Sequence, residues 1–133
     1  MEEKIKESLF KKIDKYIEVN NPHSMYVPMK KSATKLYFIQ EGTRGNIKIG
    51  VSKEPLDRLD ALQTGNSSAL RLIFMCNMKN SSVENDIHKI FRNSKIRREW
   101  FSPDVEILRF ILETISHCFD GTIFNSTNII FNE

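Results

Sequence analysis

Two short runs rich in β-branched and aromatic residues, 36–40 and 46–51, flank Gly42, Thr43, Arg44, Gly45 and Asn46. Glycine is available there for positive φ, so the segment reads as a β-hairpin closed by a loop of several residues. Successive side chains on a strand point to opposite faces, so Tyr37 shares a face with Ile39, and Lys48 shares one with Gly50. A register that brings those faces together sets a phenol beside an ammonium, and Gly50 leaves room for a close approach. Polar groups directed inward are costly unless they have partners or a task. Arg58 and Glu84 lie further on, each in a mostly apolar context. A phenol, two cations and a carboxylate form the set that metal-assisted phosphodiester hydrolysis requires.

The rest of the chain supplies helices to cover the hairpin. Residues 2–19 repeat apolar side chains at Ile5, Leu9, Ile13 and Ile17, with Phe10 beside them, and Asn20-Asn21-Pro22 stops this helix. Residues 20–33 read as a loop that Tyr26, Val27, Pro28 and Met29 pin across the core. Residues 52–63 predict a helix with Pro55 in its first turn, Leu56, Leu59 and Leu62 inward, and Gly65 as a left-handed cap. Residues 70–76 are the third strand. A second helix after the hairpin starts at Ser81 or Ser82 and runs to about residue 93, with Val83, Ile87, Ile90 and Phe91 buried. A last helix opens with Ser102 as N-cap, Pro103 and Asp104, and turns Val105, Leu108, Ile111, Leu112 and Ile115 inward. The expected fold class is α+β, a three-stranded antiparallel sheet flanked by helices with an extra N-terminal helix. Its parts are an arm (1–33), the main domain (34–118) and a tail (119–133), the tail being either an edge strand or frayed.

The net charge of +3 conceals a strong asymmetry, because residues 21–100 carry +7 and residues 101–133 carry −4. Lys89, Arg92, Lys95, Arg97 and Arg98 are the densest stretch and are expected to touch nucleic-acid phosphate, a solvated lysine-rich surface being the plainer reading. No stretch approaches the ~18 apolar residues of a membrane span. Cys76 and Cys118 are isolated and lack metal-ligand spacing, which fits reduced thiols in a cytoplasmic compartment, in a host cell or virion.

Taken in order, these elements are Tyr37-Phe38-Ile39, Lys48-Ile49-Gly50, 58–66 (RLDALQTGN), Glu84 with His88, and Glu99-Trp100-Phe101. The ordered set, spanning about residues 35–101, resembles the GIY-YIG nuclease domain in its phage and virus-type branch. The first motif is Lys35-Leu36-Tyr37 where the family has Gly-Ile-Tyr, and the second begins with Lys48 where the wider family has tyrosine. The resemblance implies an endonuclease that hydrolyses DNA with one Mg²⁺ or Mn²⁺. It places Glu84 on the metal, Arg58 on the phosphate, Tyr37 as general base or water-orienting group, and Gly50, Gly65, Trp100 and Phe101 as structural motif positions.

Plainer readings stand beside these. Ser81-Ser82-Val83-Glu84 is also a capping box, in which Glu84 bonds the Ser81 amide. Lys48 either lowers the phenol pKa of Tyr37 or holds phosphate. His88, one turn beyond Glu84, either relays a proton or satisfies a carbonyl. The Glu99-Trp100-Phe101 group is expected to pack the last helix onto the sheet. The arm is a packing helix, a dimerisation element or a DNA-contacting extension, which makes the chain a monomer or weak homodimer. The rival functions are a non-catalytic nucleic-acid-binding module of the same fold and a viral helical interaction protein.

Overall fold

The hairpin forms between β1 (Lys35–Glu41) and β2 (Ile47–Ser52), which pair antiparallel with Tyr37 opposite Gly50 and Ile39 opposite Lys48. Its loop is closed by the Asn46 carbonyl accepting from Glu41 N–H (2.9 Å), and Gly42 takes the positive φ of 61° that favours glycine. The computed structural model describes residues 1–20, 34–78 and 83–118. The expected core role of Tyr26, Val27, Pro28 and Met29, the Ser81 cap and the tail after residue 118 lie outside those residues.

The strand β3 (Leu70–Asn77) pairs with the other edge of β1, antiparallel. The register slips between Phe38 and Ile39, and the extra residue is Ile73; both Ile73 and Phe74 join the main core while Leu72 stays on the opposite face. Two short strands extend the expected three to five: β4 (Lys95–Arg97) and β5 (Trp100–Phe101), giving the antiparallel order β3-β1-β2-β5-β4. Trp100 lies opposite Lys48 and Phe101 opposite Ile47, so these aromatics form a strand of the sheet itself. A two-residue strand carries no periodicity for a sequence pattern to reveal.

Helices α1 (Glu2–Asn20), α2 (Pro55–Thr64), α3 (Val83–Ile90) and α4 (Val105–Cys118) complete the described α+β fold. The main core joins Leu36, Phe38, Ile47 and Ile49 with Leu9, Phe10 and Ile13 of α1, Val83 and Ile87 of α3, and Ile107, Leu108, Phe110 and Ile111 of α4. The N-terminal helix is therefore a packing element. Arg44, in the hairpin loop, clasps it by bonding Glu7 (2.7 and 3.0 Å) and Asp14 (2.9 Å) and lying over the Phe10 ring. Arg71 of β3 adds a second bond to Asp14 (2.9 Å) and two to the buried Gln40.

Several local expectations are corrected. Gly65 has φ −97°, so no left-handed cap closes α2. The last helix begins at Val105 rather than straight after Ser102, with the Asp104 carbonyl accepting from Ile107 and Leu108 N–H. Proline at 103 biases Ser102 toward extended backbone, and the Ser102 hydroxyl instead donates to Asp104 (3.1 Å). Ile90, expected inside, is 46% exposed, because α3 ends there and Phe91 takes the buried position. Leu56 and Ile5, on the outer ends of their stripes, are also exposed.

Candidate active site

The second face of the sheet carries the chemistry. Tyr37, Ile39 and Leu72 lie there under Leu59 of α2, with Trp100 and Met75 at the margin. Because Tyr37 and Gly50 are cross-strand partners, the phenol crosses directly over the glycine. A Cβ at position 50 would stand 2.5 Å from Tyr37 Oη, 2.7 Å from its Cζ and 3.0 Å from Glu99 Oε1. Gly50 is thus the floor on which the phenol and a carboxylate meet.

Lys48, two residue pairs along, is buried at 5% exposure and bonds Glu99 Oε1 at 2.7 Å, with its ammonium 5.8 Å from the centre of the Trp100 ring. Burying an ammonium requires a partner, and Glu99 is that partner. Glu99 is the residue that the sequence pattern failed to assign to the site. The signal for it was Lys48 itself, a lysine in an apolar strand whose carboxylate partner had to come from somewhere. The backbone of Glu99 is equally tied, since its carbonyl accepts from Ile49 N–H at 3.0 Å.

The helix α3 runs beside β2 where β5 has ended. Here the His88 Nε2–H donates to the Ile49 carbonyl (3.0 Å), and its ring meets the Phe101 edge at 5.1 Å between centres. Glu84, one turn earlier, is thereby turned toward the sheet. Its carboxyl stands beside that of Glu99 and feels the charges of Lys48 and Lys95. Its Oε2 is buried without any hydrogen-bond partner among the described residues. Arg58, an exposed residue in the first half of α2, lies near enough to the Tyr37 hydroxyl for its guanidinium to act on the phenol. Tyr37, Lys48, Arg58 and Glu84, dispersed over 48 positions of sequence, thus converge on one place, and Glu99 joins them.

The electrostatics follow from this crowding. Burial, then the neighbouring Glu99 carboxylate, push the Glu84 carboxyl up to about 7. Burial also works to raise Glu99, but the Lys48 ammonium outweighs it and holds this carboxyl below the ordinary range. Burial and then Glu99 push the Tyr37 phenol up to about 12, against the opposing pull of Arg58. This corrects the expectation that Lys48 lowers the phenol pKa: Glu99 neutralises the lysine, and the cation acting on Tyr37 is Arg58.

The residue types also bear on a metal. No cluster of three or more His, Cys, Asp or Glu occurs among the described residues. Mg²⁺ needs no such cluster, since one or two carboxylates with waters and substrate phosphate suffice. A hard oxygen donor, buried, unpartnered and beside a second carboxylate, fits that requirement at Glu84. Lys89, Arg92, Lys95, Arg97 and Arg98 are all exposed and form no ion pair among the described residues. Gly65 stands apart from the site, past the end of α2.

The small antiparallel sheet thus gathers a phenol, two cations and two carboxylates beside a basic edge. Residues 34–117 match the model of the T5orf172 domain, and the chain belongs to that family, a phage-type and GIY-YIG-like one of nuclease-like, DNA-binding character. No curated protein and no solved structure matches the chain. Among the described residues no helix is long and apolar enough to cross a membrane.

Proposed function

We propose that this protein is a divalent-metal-dependent endonuclease that hydrolyses phosphodiester bonds in DNA. The observation that carries the reading is the meeting of Tyr37, Lys48, Arg58 and Glu84 around the Gly50 floor. Glu84 would hold Mg²⁺ or Mn²⁺, which when bound supplies Lewis-acid stabilisation of the charge on phosphorus and the leaving oxygen. Arg58 offers a planar fork that matches two phosphate oxygens, and its exposure leaves it free to receive them. Tyr37 keeps its proton at neutral pH, so it acts through its hydroxyl and orients the attacking water. The ionised group beside it is Glu99, which stands ready to accept the proton of that water while Lys48 fixes the position of the carboxylate. His88 anchors α3 to Ile49 and so sets the reach of Glu84.

A cleavage panel tests this: linear, nicked, branched and single-stranded DNA, each with Mg²⁺ and with Mn²⁺. Metal-dependent cleavage that falls by at least about 10²-fold in Arg58→Ala and Glu84→Ala, both folded, is the expected result. Variants that cleave like wild type would assign the activity to a contaminant. One observation favours a second reading, a nucleic-acid-binding module without turnover. The buried phenol at about 12 and the Glu84 carboxyl at about 7, only about half ionised at neutral pH, leave the metal-free site unpoised. Salt-sensitive DNA binding with no cleavage under any metal would select that reading.

A further inference from the structure

The β4–β5 hairpin carries an anomaly that the catalytic reading leaves unused. Lys95 pairs with Phe101 and Arg97 with Trp100, so two residues separated by one face two adjacent partners. Ile96 is the extra residue of this bulge. It lies on the edge strand of the sheet and is 52% exposed. Bulges at sheet edges re-aim a side chain, and here the re-aimed side chain is a large aliphatic one. Lys95, Arg97 and Arg98 flank it, all exposed and free of ion pairs among the described residues. Arg98 has φ 49°, a left-handed conformation that an arginine adopts only when the surrounding chain imposes it.

On this edge a solvent-facing isoleucine lies among cations. It suits a surface with negative flanks and an apolar floor. Duplex DNA has that form, with phosphates on both rims of the minor groove and stacked bases and sugars between them. We propose that the bulged tip of this hairpin is a minor-groove probe. In it, Lys95, Arg97 and Arg98 hold phosphates and Ile96 wedges against a base step of double-stranded DNA. Isoleucine is among the side chains that partly unstack a base step in this way. The same hairpin leads directly into Glu99, and Lys95 already acts on Glu84, so the probe adjoins the active site. Ile96 and Glu99 lie on either side of the β4–β5 turn, three residues apart, so at most about 10 Å, or about three base pairs, separates wedge and carboxylate. The distance from wedge to cleaved bond rests on the hydrolase reading; the groove contact does not.

The test uses the full chain in chelator, where binding is read without cleavage, and a duplex carrying 2-aminopurine at successive positions. Wild type is expected to prefer duplex over single strand and to raise 2-aminopurine fluorescence at one step. Ile96→Ala should weaken duplex binding about five- to tenfold with an unchanged salt slope and abolish the fluorescence rise, because it removes an apolar contact and no charge. Arg97→Ala should instead reduce the salt slope by about 1. Ile96→Leu, apolar and similar in size, should keep both signals. Ile96→Ala that binds like wild type, no fluorescence change in wild type, or tighter binding to single strands would each overturn the proposal. Groove binding without cleavage under any metal would sink the hydrolase and leave the probe standing. Cleavage with a neutral Ile96→Ala would do the reverse.

Discussion

On one side of β1 and β2, Leu36, Phe38, Ile47 and Ile49 enter the main core with α1 and α4. One residue along the same strands, on the other side, Tyr37, Lys48 and Gly50 meet Glu99, Arg58 and Glu84. Both sides are closely packed, yet only the first consists of groups that gain by leaving water. On the second, burial of the Lys48 ammonium is tolerated because of Glu99, and the Arg58 guanidinium acts on the phenol. Alternation along a strand lets one short hairpin build a stabilising layer and a chemical layer from the same backbone. The first layer should therefore govern stability, and the second should govern chemistry while costing some stability.

The sharpest way to break this comparison is to truncate the first face. Phe38 is fully buried and meets the Phe110 ring edge-on at 5.9 Å. Phe38→Ala should cost about 3–5 kcal/mol in urea unfolding, a large part of the stability of a small domain. A loss below ~1 kcal/mol would mean that the hairpin is held chiefly by something other than this core.

On the second face the smallest possible addition has a comparable reach. Gly50→Ala places a methyl against a rigid, fully buried phenol and a carboxylate that is held by Lys48. Neither can swing away freely, so a cost of about 1–3 kcal/mol is expected from overpacking. DNA cleavage should fall much further than binding, because Tyr37 and Glu99 are displaced while the basic edge is untouched. Equal loss of binding and cleavage would show that Gly50 serves the fold alone.

Glu84 should reveal the stability cost of the second face through pH. Its folded carboxyl sits at about 7 against an ordinary 4.5, so the folded state retains a proton that the unfolded chain releases in between. The stability this gives is fully present below about pH 4.5 and is lost as pH rises through about 7. Glu99 has the opposite sign, but its depressed pKa confines its effect to more acidic solution. In metal-free buffer, Glu84→Gln should remove the decline and be more stable than wild type at pH 8 by about 1–2 kcal/mol, after allowance for partial exposure. Mg²⁺ should raise the wild-type Tm and leave that of Glu84→Gln unchanged. A wild-type stability curve flat between pH 5 and 8 would contradict the half-buried carboxyl pair.

The sequence displayed some of this and concealed the rest for identifiable reasons. Tyr37 and Lys48 were legible because alternation says which side chains share a strand face, whereas Arg58 and Glu84 were marked out by the ordered motif set and its family resemblance. Glu99 was not, since its bond to Lys48 spans 51 positions and it precedes a two-residue strand that leaves no local period. The same blindness hid β4 and β5 and so gave three strands where five occur. Gly65 and Ser102 failed differently, because each obeys a good local rule that the neighbouring backbone overrides. The phenol pKa could not be read at all, since it depends on which carboxylate reaches Lys48 first.

The smallest expected effect lies outside both faces, in the clasp that fastens α1 to the hairpin loop. Arg44 bonds two carboxylates and covers Phe10, but its side chain is 38% exposed. Exposed ion pairs contribute little, and a cation over a ring adds a similar amount, so Arg44→Ala should cost only about 1 kcal/mol. Much of that should vanish in high salt, where the ionic part is screened. DNA cleavage should hold, because no member of the clasp belongs to the chemical face. If Arg44→Ala instead abolished cleavage without unfolding the protein, the hairpin loop would be part of the substrate surface. The division of labour between the two faces would then have to include the turn that joins their strands.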